Sequence, residues 1–569
     1  MQTRPILFVI TAVLALLLSS ESKLLCQSPG GVWQQWQRFQ GQTSDQGLGS
    51  ALAFSGDVNG DGVPDVILGS PTASPGGLVR AGVAQVFSGA DQSLLWTVTG
   101  VTASSYCGAS VAGAGDLNQD GFDDFMVGAP NAQPNGILGA GSVFVLSGFD
   151  GSMIFKLQGQ EADANFGTSV AGPGDVDGDS IPDLVVGAPL ADGGGTWNAG
   201  TTFVFSGANG ALIREIHGTG FDYRQGSHVR GAGDWNGDGL PEVLTSSPYA
   251  DPNGVVDAGA VHIISVVSAA LIAKFQGDES GALFGYSAEV VGDLNAEGTP
   301  DVIIGAPFSN PNGRTAAGTA VVLSGATGKI MIKYNGAAKW NRLGWSVAAL
   351  NDVNGDDVPD FAAGAPAADG LGLTNAGLLR VYSGRTGELL QQFLGLHDDA
   401  QFGLACAGGG DLDQDGFQDL LVGAPGEQSN AGEATTLAFD PFLYASPRTL
   451  SSSAGGIVQM SMQFPVTEAG VEYAMLASAE GTGPTTLQNT LVPLTNDVLF
   501  RRLLAGNYPP QIQNGTGVLD ASAAAVATLT NPPGGMSKFI DSNIYVAVLT
   551  HVGGTISRTS AAATIHVTP

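Results

Sequence analysis

The hydrophobic positions of this chain recur in short runs that are separated by glycine-rich breaks. Near the start of the chain, for example, four apolar runs occupy residues 109–112, 125–127, 142–146 and 153–157. Runs of this length, bounded by turn residues, are typical of β-strands. The last two runs are joined by residues 147–151, which have the composition of a hairpin loop. The pattern therefore predicts groups of four short strands.

A polar motif of the form Asp-x-Asn/Asp-x-Asp-Gly-x-x-Asp accompanies each group of strands at a constant spacing of 59 residues. Its seven copies begin at Asp57, Asp116, Asp175, Asp234, Asp293, Asp352 and Asp411. Seven equal repeats of four strands predict an all-β fold, a seven-bladed β-propeller, in which radial repetition leaves only short sheet edges. A linear solenoid is the alternative, but it needs atypical capping repeats that are not visible here.

The two ends of the repeat region indicate how the ring closes. Residues 33–39 precede the first repeat and match the fourth strand of later repeats, whereas the seventh repeat stops after its third strand, residues 435–439. The early strand should therefore complete the last blade. The propeller is predicted to occupy residues 33–439.

These repeats resemble the FG-GAP repeats of the integrin alpha-subunit propeller. The resemblance rests on Phe-Gly pairs followed by Gly-Ala-Pro triplets around a cation loop, and it covers residues 33–439. It implies an exported, bacterial-type, integrin alpha-like protein that acts in cell adhesion and binds ligands on the face opposite its cation loops. The pairs are Phe166-Gly167, Phe284-Gly285 and Phe402-Gly403, and Leu48, Cys107, Gln225 and Leu343 replace the Phe in the other repeats.

The charge of the chain is strongly negative, with 52 acidic against 21 basic residues and a net charge of −31. Such a polyanion is not expected to bind nucleic acid through its phosphates. Clustered carboxylates instead favour divalent cations, and much of the acidity lies in the repeated loops.

Each repeated loop places oxygen-bearing side chains at positions 1, 3, 5 and 9 of the motif. Hard oxygen ligands in a compact loop suit Ca²⁺, and the lack of His and Cys disfavours zinc and copper. Turn formation alone would explain one such loop but not seven. Up to seven structural Ca²⁺ ions are predicted, with the loops at Asp234 and Asp293 weakest because they carry a glutamate. The predicted ligands are Asp57, Asn59, Asp61, Asp65, Asp116, Asn118, Asp120, Asp124, Asp175, Asp177, Asp179, Asp183, Asp234, Asn236, Asp238, Glu242, Asp293, Asn295, Glu297, Asp301, Asp352, Asn354, Asp356, Asp360, Asp411, Asp413, Asp415 and Asp419.

The first 25 residues have the features of a signal peptide. Arg4 precedes an apolar run at residues 6–18, which is too short to span a bilayer. No later segment is apolar enough to cross a membrane. The mature protein is therefore predicted to be secreted, extracellular or attached to the cell surface, with the periplasm as the alternative.

The last 130 residues, 440–569, lack the acidic motif and predict a separate domain. Alternating apolar runs and glycine-rich turns favour a small β-sandwich, with an attachment or sorting role as one interpretation. Its predicted strands are residues 457–464, 471–477, 498–503, 525–530, 543–549 and 564–568.

A candidate ligand patch lies on the face opposite the acidic loops. Because strands alternate in direction, the loops from fourth to first strands share that face. Most of these loops are bland, but two carry aromatic residues and arginines, which are enriched in binding hot spots. Local packing between blades is the alternative. The patch consists of Phe221, Tyr223, Arg224, Trp340 and Arg342.

No catalytic motif is recognisable, and no catalytic residue is predicted. The sequence holds no nucleophile motif, phosphate loop or dinucleotide fingerprint, and Cys107 and Cys406 are predicted to be core residues. The favoured function is a calcium-binding, non-enzymatic module that binds an extracellular protein or glycan. An extracellular hydrolase or lyase on the same propeller, and a purely structural surface protein, are the alternatives.

Overall fold

The structure is a computed structural model. It describes residues 26–569 except residues 29–30, 355–357, 416, 442, 447–448, 465–467, 480–484, 489, 493, 534–535, 541, 553–554 and 561–562. The predicted signal peptide, residues 1–25, lies outside the described residues.

Seven antiparallel sheets follow one another along the chain, as the repeat predicts. The chain begins with β1 (Cys26–Ser28) and β2 (Gly31–Gln40). Blade one is β3 (Ala51–Gly56), β4 (Asp65–Ser70), β5 (Val83–Phe87) and β6 (Leu94–Thr99). Blade two is β7 (Ser110–Gly115), β8 (Asp124–Ala129), β9 (Ser142–Leu146) and β10 (Met153–Gln158). Blade three is β11 (Ser169–Gly174), β12 (Asp183–Ala188), β13 (Thr201–Phe205) and β14 (Leu212–His217).

The later blades have the same order. Blade four is β15 (Val229–Gly233), β16 (Glu242–Ser247), β17 (Ala260–Ile264) and β18 (Leu271–Gln276). Blade five is β19 (Ser287–Gly292), β20 (Asp301–Ala306), β21 (Thr319–Leu323) and β22 (Ile330–Asn335). Blade six is β23 (Ser346–Leu350), β24 (Asp360–Ala365), β25 (Leu378–Tyr382) and β26 (Leu389–Leu394). Blade seven contains β27 (Cys406–Gly410), β28 (Asp419–Ala424), the short helix α1 (Glu427–Asn430) and β29 (Glu433–Pro441).

The core of the propeller lies between blades. The described residues form seven hydrophobic clusters in this region, one for each pair of neighbouring blades, including the pair of blades seven and one. The first strand of each blade contacts the first strands of its neighbours, so these strands surround a central channel. Cys107 and Cys406 are buried in two of the clusters, which confirms their predicted place in the core.

The repeated glycines meet at the interfaces between blades. A Cβ atom at Gly128, in the Gly-Ala-Pro triplet of blade two, would lie 2.3 Å from the carbonyl oxygen of Gly167, in the Phe-Gly pair of blade three. The equivalent contact joins Gly423 of blade seven to Gly49 of blade one: a Cβ atom on Gly423 would lie 2.0 Å from the carbonyl oxygen of Gly49. Any side chain there would separate the blades, so the repeated glycines set a uniform step around the ring.

Ring closure occurs as the sequence predicts. Strand β2 pairs antiparallel with β29, with Trp33 opposite Phe439 and Phe39 opposite Ala434. Strand β1 adds a fifth strand outside β2, which the sequence analysis did not predict. Blade seven is therefore built from both ends of the propeller region.

The C-terminal region contains two further sheets that share one hydrophobic cluster, which is the two-layer arrangement of a β-sandwich. One sheet has the order β30-β32-β38-β36, the other has the order β31-β41-β39-β33-β37 with β40 on β39, and β34 and β35 form a hairpin. The elements are β30 (Leu443–Ser446), β31 (Thr449–Ser451), β32 (Gly456–Gln463), β33 (Glu472–Ser478), β34 (Thr485–Leu487), β35 (Thr490–Val492), α2 (Val498–Leu504), β36 (Ile512–Gln513), β37 (Thr516–Val518), β38 (Ala524–Asn531), β39 (Ser542–Val552), β40 (Thr555–Thr559) and β41 (Ala563–Thr568).

One predicted strand of this region is wrong. Residues 498–503, expected as a strand, belong to helix α2. The side chain of Asp497 caps the helix by accepting a hydrogen bond from the Phe500 N–H at 2.7 Å. Phe500 and Leu503 are buried and three residues apart, which is a helical spacing. The capping residue and this spacing were the signals for a helix.

Candidate metal loops and ligand face

The seven acidic loops all join the first strand of a blade to its second strand. All the predicted ligands except Asp356 are described, and Asp356 lies outside the described residues. The position-9 side chains are buried, whereas the described side chains at positions 1, 3 and 5 are half-buried or exposed. The loops therefore present their first half to solvent and anchor their last carboxylate in the blade.

In the first five loops, the first aspartate fixes the turn. In the first loop, Asp57 Oδ1 accepts hydrogen bonds from the N–H groups of Gly60 at 2.7 Å and Asp61 at 3.1 Å. Its Oδ2 accepts one from the Gly62 N–H at 2.8 Å. Gly62 has φ +86°, a left-handed conformation that suits glycine. The sequence spacing thus folds the loop around one carboxylate.

In five of the loops the last acid connects the loop to the hairpin of the same blade. Asp65 is fully buried, and its carboxylate accepts hydrogen bonds from the N–H groups of Val58 at 2.8 Å and Gly89 at 3.0 Å. Burial raises the pKa of Asp65 to about 6 and that of Asp419 to about 8. A cation in the loop would favour the charged form of these buried carboxyl groups.

In two loops the carboxylates converge in a way that suits a metal ion. Carboxylate oxygens of Asp175, Asp177 and Asp183 lie within 4.8 Å of one another. Those of Asp411, Asp413 and Asp415 do the same. These are the two loops with Asp rather than Asn at position 3. A donor set of oxygen atoms alone fits Ca²⁺.

The glutamates of the fourth and fifth loops accept hydrogen bonds from neighbouring side chains. In the fourth loop, Glu242 accepts a hydrogen bond from the Asn236 side-chain amide at 2.6 Å, so two candidate ligands bind each other. In the fifth loop, Glu297 accepts a hydrogen bond from the Ser324 hydroxyl. Such contacts compete with metal binding, but they are not confined to these two loops: the Asn59 amide donates to Asp61 at 2.8 Å in the first loop, and the Asn354 amide donates to Asp360 at 3.2 Å in the sixth.

A serine at the end of the third strand was missed by the sequence analysis. The hydroxyls of Ser88 and Ser147 lie 3.4 Å from the position-5 carboxylates Asp61 and Asp120. A serine recurs here every 59 residues in the first six repeats. The spacing that revealed the acidic motif would have revealed this residue.

The predicted ligand patch separates into two parts. Phe221 stacks on Trp197 with ring centroids 4.8 Å apart, and both rings are more than half exposed. Trp340 is also exposed. Tyr223, which is half-buried, covers Gly220, where an added Cβ would meet its ring at 2.3 Å. These residues form the outer part of the face.

The inner part extends over blades four to six. Arg224 pairs with Asp222 at 2.8 Å and lies over the Tyr249 ring at 4.0 Å. Arg342 lies 5.5 Å from the ring centroid of Phe308 and 5.3 Å from that of Trp345.

Tyr286 links the two halves of this inner part. Its ring centroid lies 4.7 Å from that of Trp345 and 6.0 Å from that of Phe308. Burial raises the pKa of Tyr286 to about 12, with a further contribution from the nearby Tyr249. We name this set the aromatic–arginine face: Arg224, Tyr249, Tyr286, Phe308, Arg342 and Trp345.

Four members of the face, Tyr249, Tyr286, Phe308 and Trp345, lie outside the predicted patch. Tyr286 and Trp345 follow the repeated glycine, where the other repeats have Ser50, Ala109, Thr168, Ser227 and Leu404. Comparison of the repeats at this position would have identified both.

The aromatic–arginine face borders the mouth of the central channel. The channel opens into a cavity of about 280 Å³ on this side and one of about 550 Å³ on the side of the acidic loops. Arg230 lines both cavities and pairs with Glu289 at 3.0 Å. An ion pair therefore lies in the wall of the channel.

His228, beside this ion pair, should make the stability depend on pH. Its Nε2 donates a hydrogen bond to the Ala288 carbonyl at 2.9 Å, and burial lowers its pKa to about 3. The unfolded chain, with a His pKa near 6.5, binds this proton first as the pH falls. We therefore expect His228 to reduce the free energy of unfolding by about 2 kcal/mol as the pH falls from 6.5 to 5.

The check is chemical denaturation of the native chain and His228→Asn at both pH values. The variant should lose less stability on acidification than the native chain. An equal loss in the two proteins would contradict the assignment.

The described residues contain no helix that is both long and apolar enough to cross a membrane.

Comparison with known proteins agrees with the repeat structure. The FG-GAP repeat family matches residues 48–87, 108–146, 166–205, 231–264, 284–323, 343–382 and 402–437. Integrin alpha-V from Gallus gallus is 32% identical over 213 residues, which cover 36% of this chain and 20% of the integrin. Integrin alpha-8 from Mus musculus is 30% identical over 211 residues, 34% of this chain and 19% of the integrin.

The chain thus matches about a fifth of the length of these relatives. Among solved structures, a europium-containing methanol dehydrogenase superposes with a TM-score of 0.38 and 10% identity, over 72% of this chain and 85% of the dehydrogenase. That score is too low to support a functional comparison. The seven matched repeats coincide with the seven blades, and the chain is therefore an FG-GAP repeat protein with an integrin alpha-like β-propeller.

Proposed function

We propose that this protein is a secreted or cell-surface, calcium-stabilised binding module whose protein or glycan ligand docks on the aromatic–arginine face. The observation that carries the proposal is the asymmetry of the ring. Partly exposed Tyr, Phe and Trp rings and two arginines gather over blades four to six. A purely structural propeller would have no need for this asymmetry. Aromatic and arginine side chains are the residues that dominate binding energies.

The composition of this face favours binding over hydrolysis. Its carboxylate neighbour Asp222 forms two hydrogen bonds with the guanidinium of Arg224. An acid held in this way is poorly placed to transfer a proton to a substrate. Arg342, in contrast, lies against two rings and its buried Nε has no hydrogen-bond partner in the structure.

The acidic loops would supply stability rather than chemistry. Side-chain oxygens at positions 1, 3, 5 and 9 of each loop would hold Ca²⁺, with the loops at Asp175 and Asp411 as the best candidates because their carboxylates converge. A bound cation would neutralise clustered charge and hold the turn between the first two strands. The ligand face and the calcium loops are then on opposite sides of the ring.

We propose the remaining parts of the chain as accessories to this role. Residues 1–25 would direct export, and residues 440–569 would serve as an attachment or sorting domain. The propeller, residues 33–439, would carry the binding function.

The variant Trp345→Ser tests the ligand face, because blades one and four have serine at the same repeat position. We expect Trp345→Ser to weaken binding at least tenfold, about 1.4 kcal/mol, because a central aromatic contact is lost. The ligand is first found by probing protein and glycan arrays with the purified chain, and affinities are then measured by titration. The melting temperature of each variant reports on packing between blades.

Leu404→Ser is the matched control, because Leu404 holds the same repeat position in blade seven. Its affinity should equal that of the native chain. Equal binding by Trp345→Ser, or a loss of affinity that merely follows a loss of stability, would overturn the proposed face.

A further inference from the structure

A further cavity lies between blades two and three, apart from the central channel and the aromatic–arginine face. It has a volume of about 410 Å³, within the range of small-molecule pockets. Its floor contains three phenylalanine rings: Phe166 lies 5.4 Å from Phe203 and 6.0 Å from Phe205, both edge-on, and the latter two stack at 6.2 Å. We call this cavity the blade two–three cleft. No other repeat has Phe at all three positions.

The rim of the blade two–three cleft is acidic. Glu161, Asp192 and Glu215 line it. The backbone N–H of Asp192 donates to Glu161 Oε1 at 2.8 Å, which holds that carboxylate at the edge of the cavity. His217, the basic side chain among the lining residues, lies 3.1 Å from the Thr201 hydroxyl and 3.5 Å from Glu215. Three carboxylates thus surround an aromatic floor.

The equivalent cavity between blades four and five lacks the three-ring floor, and its two lining carboxylates, Asp278 and Glu279, are matched by Lys274 and Lys333. Its residues at the three ring positions are Phe284, Val321 and Leu323. Asn310 replaces Asp192, and Lys333 replaces Glu215.

The two cavities also differ in the hydrogen bonds of the equivalent glutamates and in the location of the equivalent lysines. In the blade four–five cavity, Glu279 is bound by both the backbone and the side-chain N–H groups of Asn310, at 2.6 and 2.9 Å. Lys274 lines that cavity, whereas its counterpart Lys156 lies over Phe144, 5.5 Å from the ring centroid. The cavity thus recurs in two blade pairs, and the aromatic floor with an acidic rim belongs to the one between blades two and three.

We propose that the blade two–three cleft binds an organic ammonium group on an apolar body, either a free quaternary amine or the charged end of a lysine side chain. The faces of aromatic rings carry negative electrostatic potential and attract such cations, and nearby carboxylates add to the attraction. The net charge of −31 also raises the local concentration of cations. A neutral molecule of the same shape would contact the rings but would not be attracted by the carboxylates of the rim.

A pair of isosteric probes tests this proposal on the full chain in the presence of calcium. Choline and 3,3-dimethylbutan-1-ol have the same shape and differ in charge, and a peptide with trimethyllysine represents the protein source. We expect saturable binding of choline or of the peptide, with the neutral alcohol at least tenfold weaker, in calorimetric titrations. Tighter binding of the peptide assigns the site to a protein partner, and tighter binding of choline assigns it to a free amine.

Variants that copy the blade four–five cavity complete the test. Phe203→Val and Glu215→Lys should each reduce the affinity at least tenfold, with an unchanged melting temperature as evidence of folding. Lys333→Ala, in the equivalent cavity, should leave the affinity unchanged. No saturable binding of either cation, equal affinity for choline and the alcohol, or insensitivity to both cleft variants would overturn the proposal. Because neither cleft variant touches the aromatic–arginine face, the proposed function is tested separately.

Discussion

Removal of calcium is expected to lower the melting temperature of the propeller strongly while leaving the sheets of residues 443–569 nearly unchanged. A ligand that binds only the folded state stabilises it by RT ln(1 + [L]/Kd). At tenfold excess over Kd each loop contributes about 1.4 kcal/mol, and seven loops together reach about 10 kcal/mol. That sum is comparable to the net stability of a whole domain. Calorimetry with excess calcium and with a chelator measures the change.

A single loop provides the matched comparison. Asp175→Asn removes the position-1 carboxylate of a loop in which three carboxylates converge, and should remove one equivalent of bound calcium. Asp278→Asn removes an exposed carboxylate outside the loops and should leave the stoichiometry unchanged. If the propeller melts at the same temperature with calcium and with chelator, the structural role of the loops is wrong.

Replacement of Trp33 is expected to destabilise the ring by about 3–5 kcal/mol, the usual cost of truncating a large buried aromatic residue. Trp33 is fully buried in the closing strand β2. Its ring lies 5.5 Å from Phe439 of blade seven and 5.9 Å from Phe393 of blade six. Trp33→Ala therefore weakens both the closure and the adjoining interface. Equilibrium unfolding in urea gives the loss.

The same strand contains its own control. Trp36 is 46% exposed, so Trp36→Ala should change the stability by less than about 0.5 kcal/mol. Deletion of residues 26–40 should abolish cooperative unfolding of the propeller. If Trp33→Ala and Trp36→Ala unfold at the same urea concentration, closure through β2 does not hold the ring together.

Much of this fold can be predicted from the sequence because the same local interactions recur in seven repeats. A constant spacing exposes the positions at which only glycine fits, such as Gly128 against Gly167. It also exposes the acids that anchor each loop, such as Asp65. The C-terminal region has no such repetition. In that region, apolar content alone made residues 498–503 resemble a strand. The helix cap formed by Asp497 was the signal that these residues belong to α2.

The candidate sites were predicted less completely than the fold. Arg224 and Arg342 stood out because they are unusual in their loops, and the structure places both on the aromatic–arginine face. Tyr286 and Trp345 immediately precede strands and resemble core residues when one repeat is considered alone. Their contact across blades five and six joins residues that are distant in sequence. Such contacts depend on the curvature of the ring, which a linear pattern does not contain.

The pairing of β2 with β29 has a consequence for how the protein responds to mechanical force. Gly31, at the start of β2, lies opposite Pro441, at the end of β29. Once β1 has detached from β2, tension applied to the chain on either side of the propeller loads the β2–β29 pair at one end, and its hydrogen bonds break one after another rather than together. We therefore expect β2 to detach from blade seven before the other six blades unfold, so that the ring opens at this strand pair. A surface-attached copy of this protein would then yield at the β2–β29 strand pair, with its other six blades still folded.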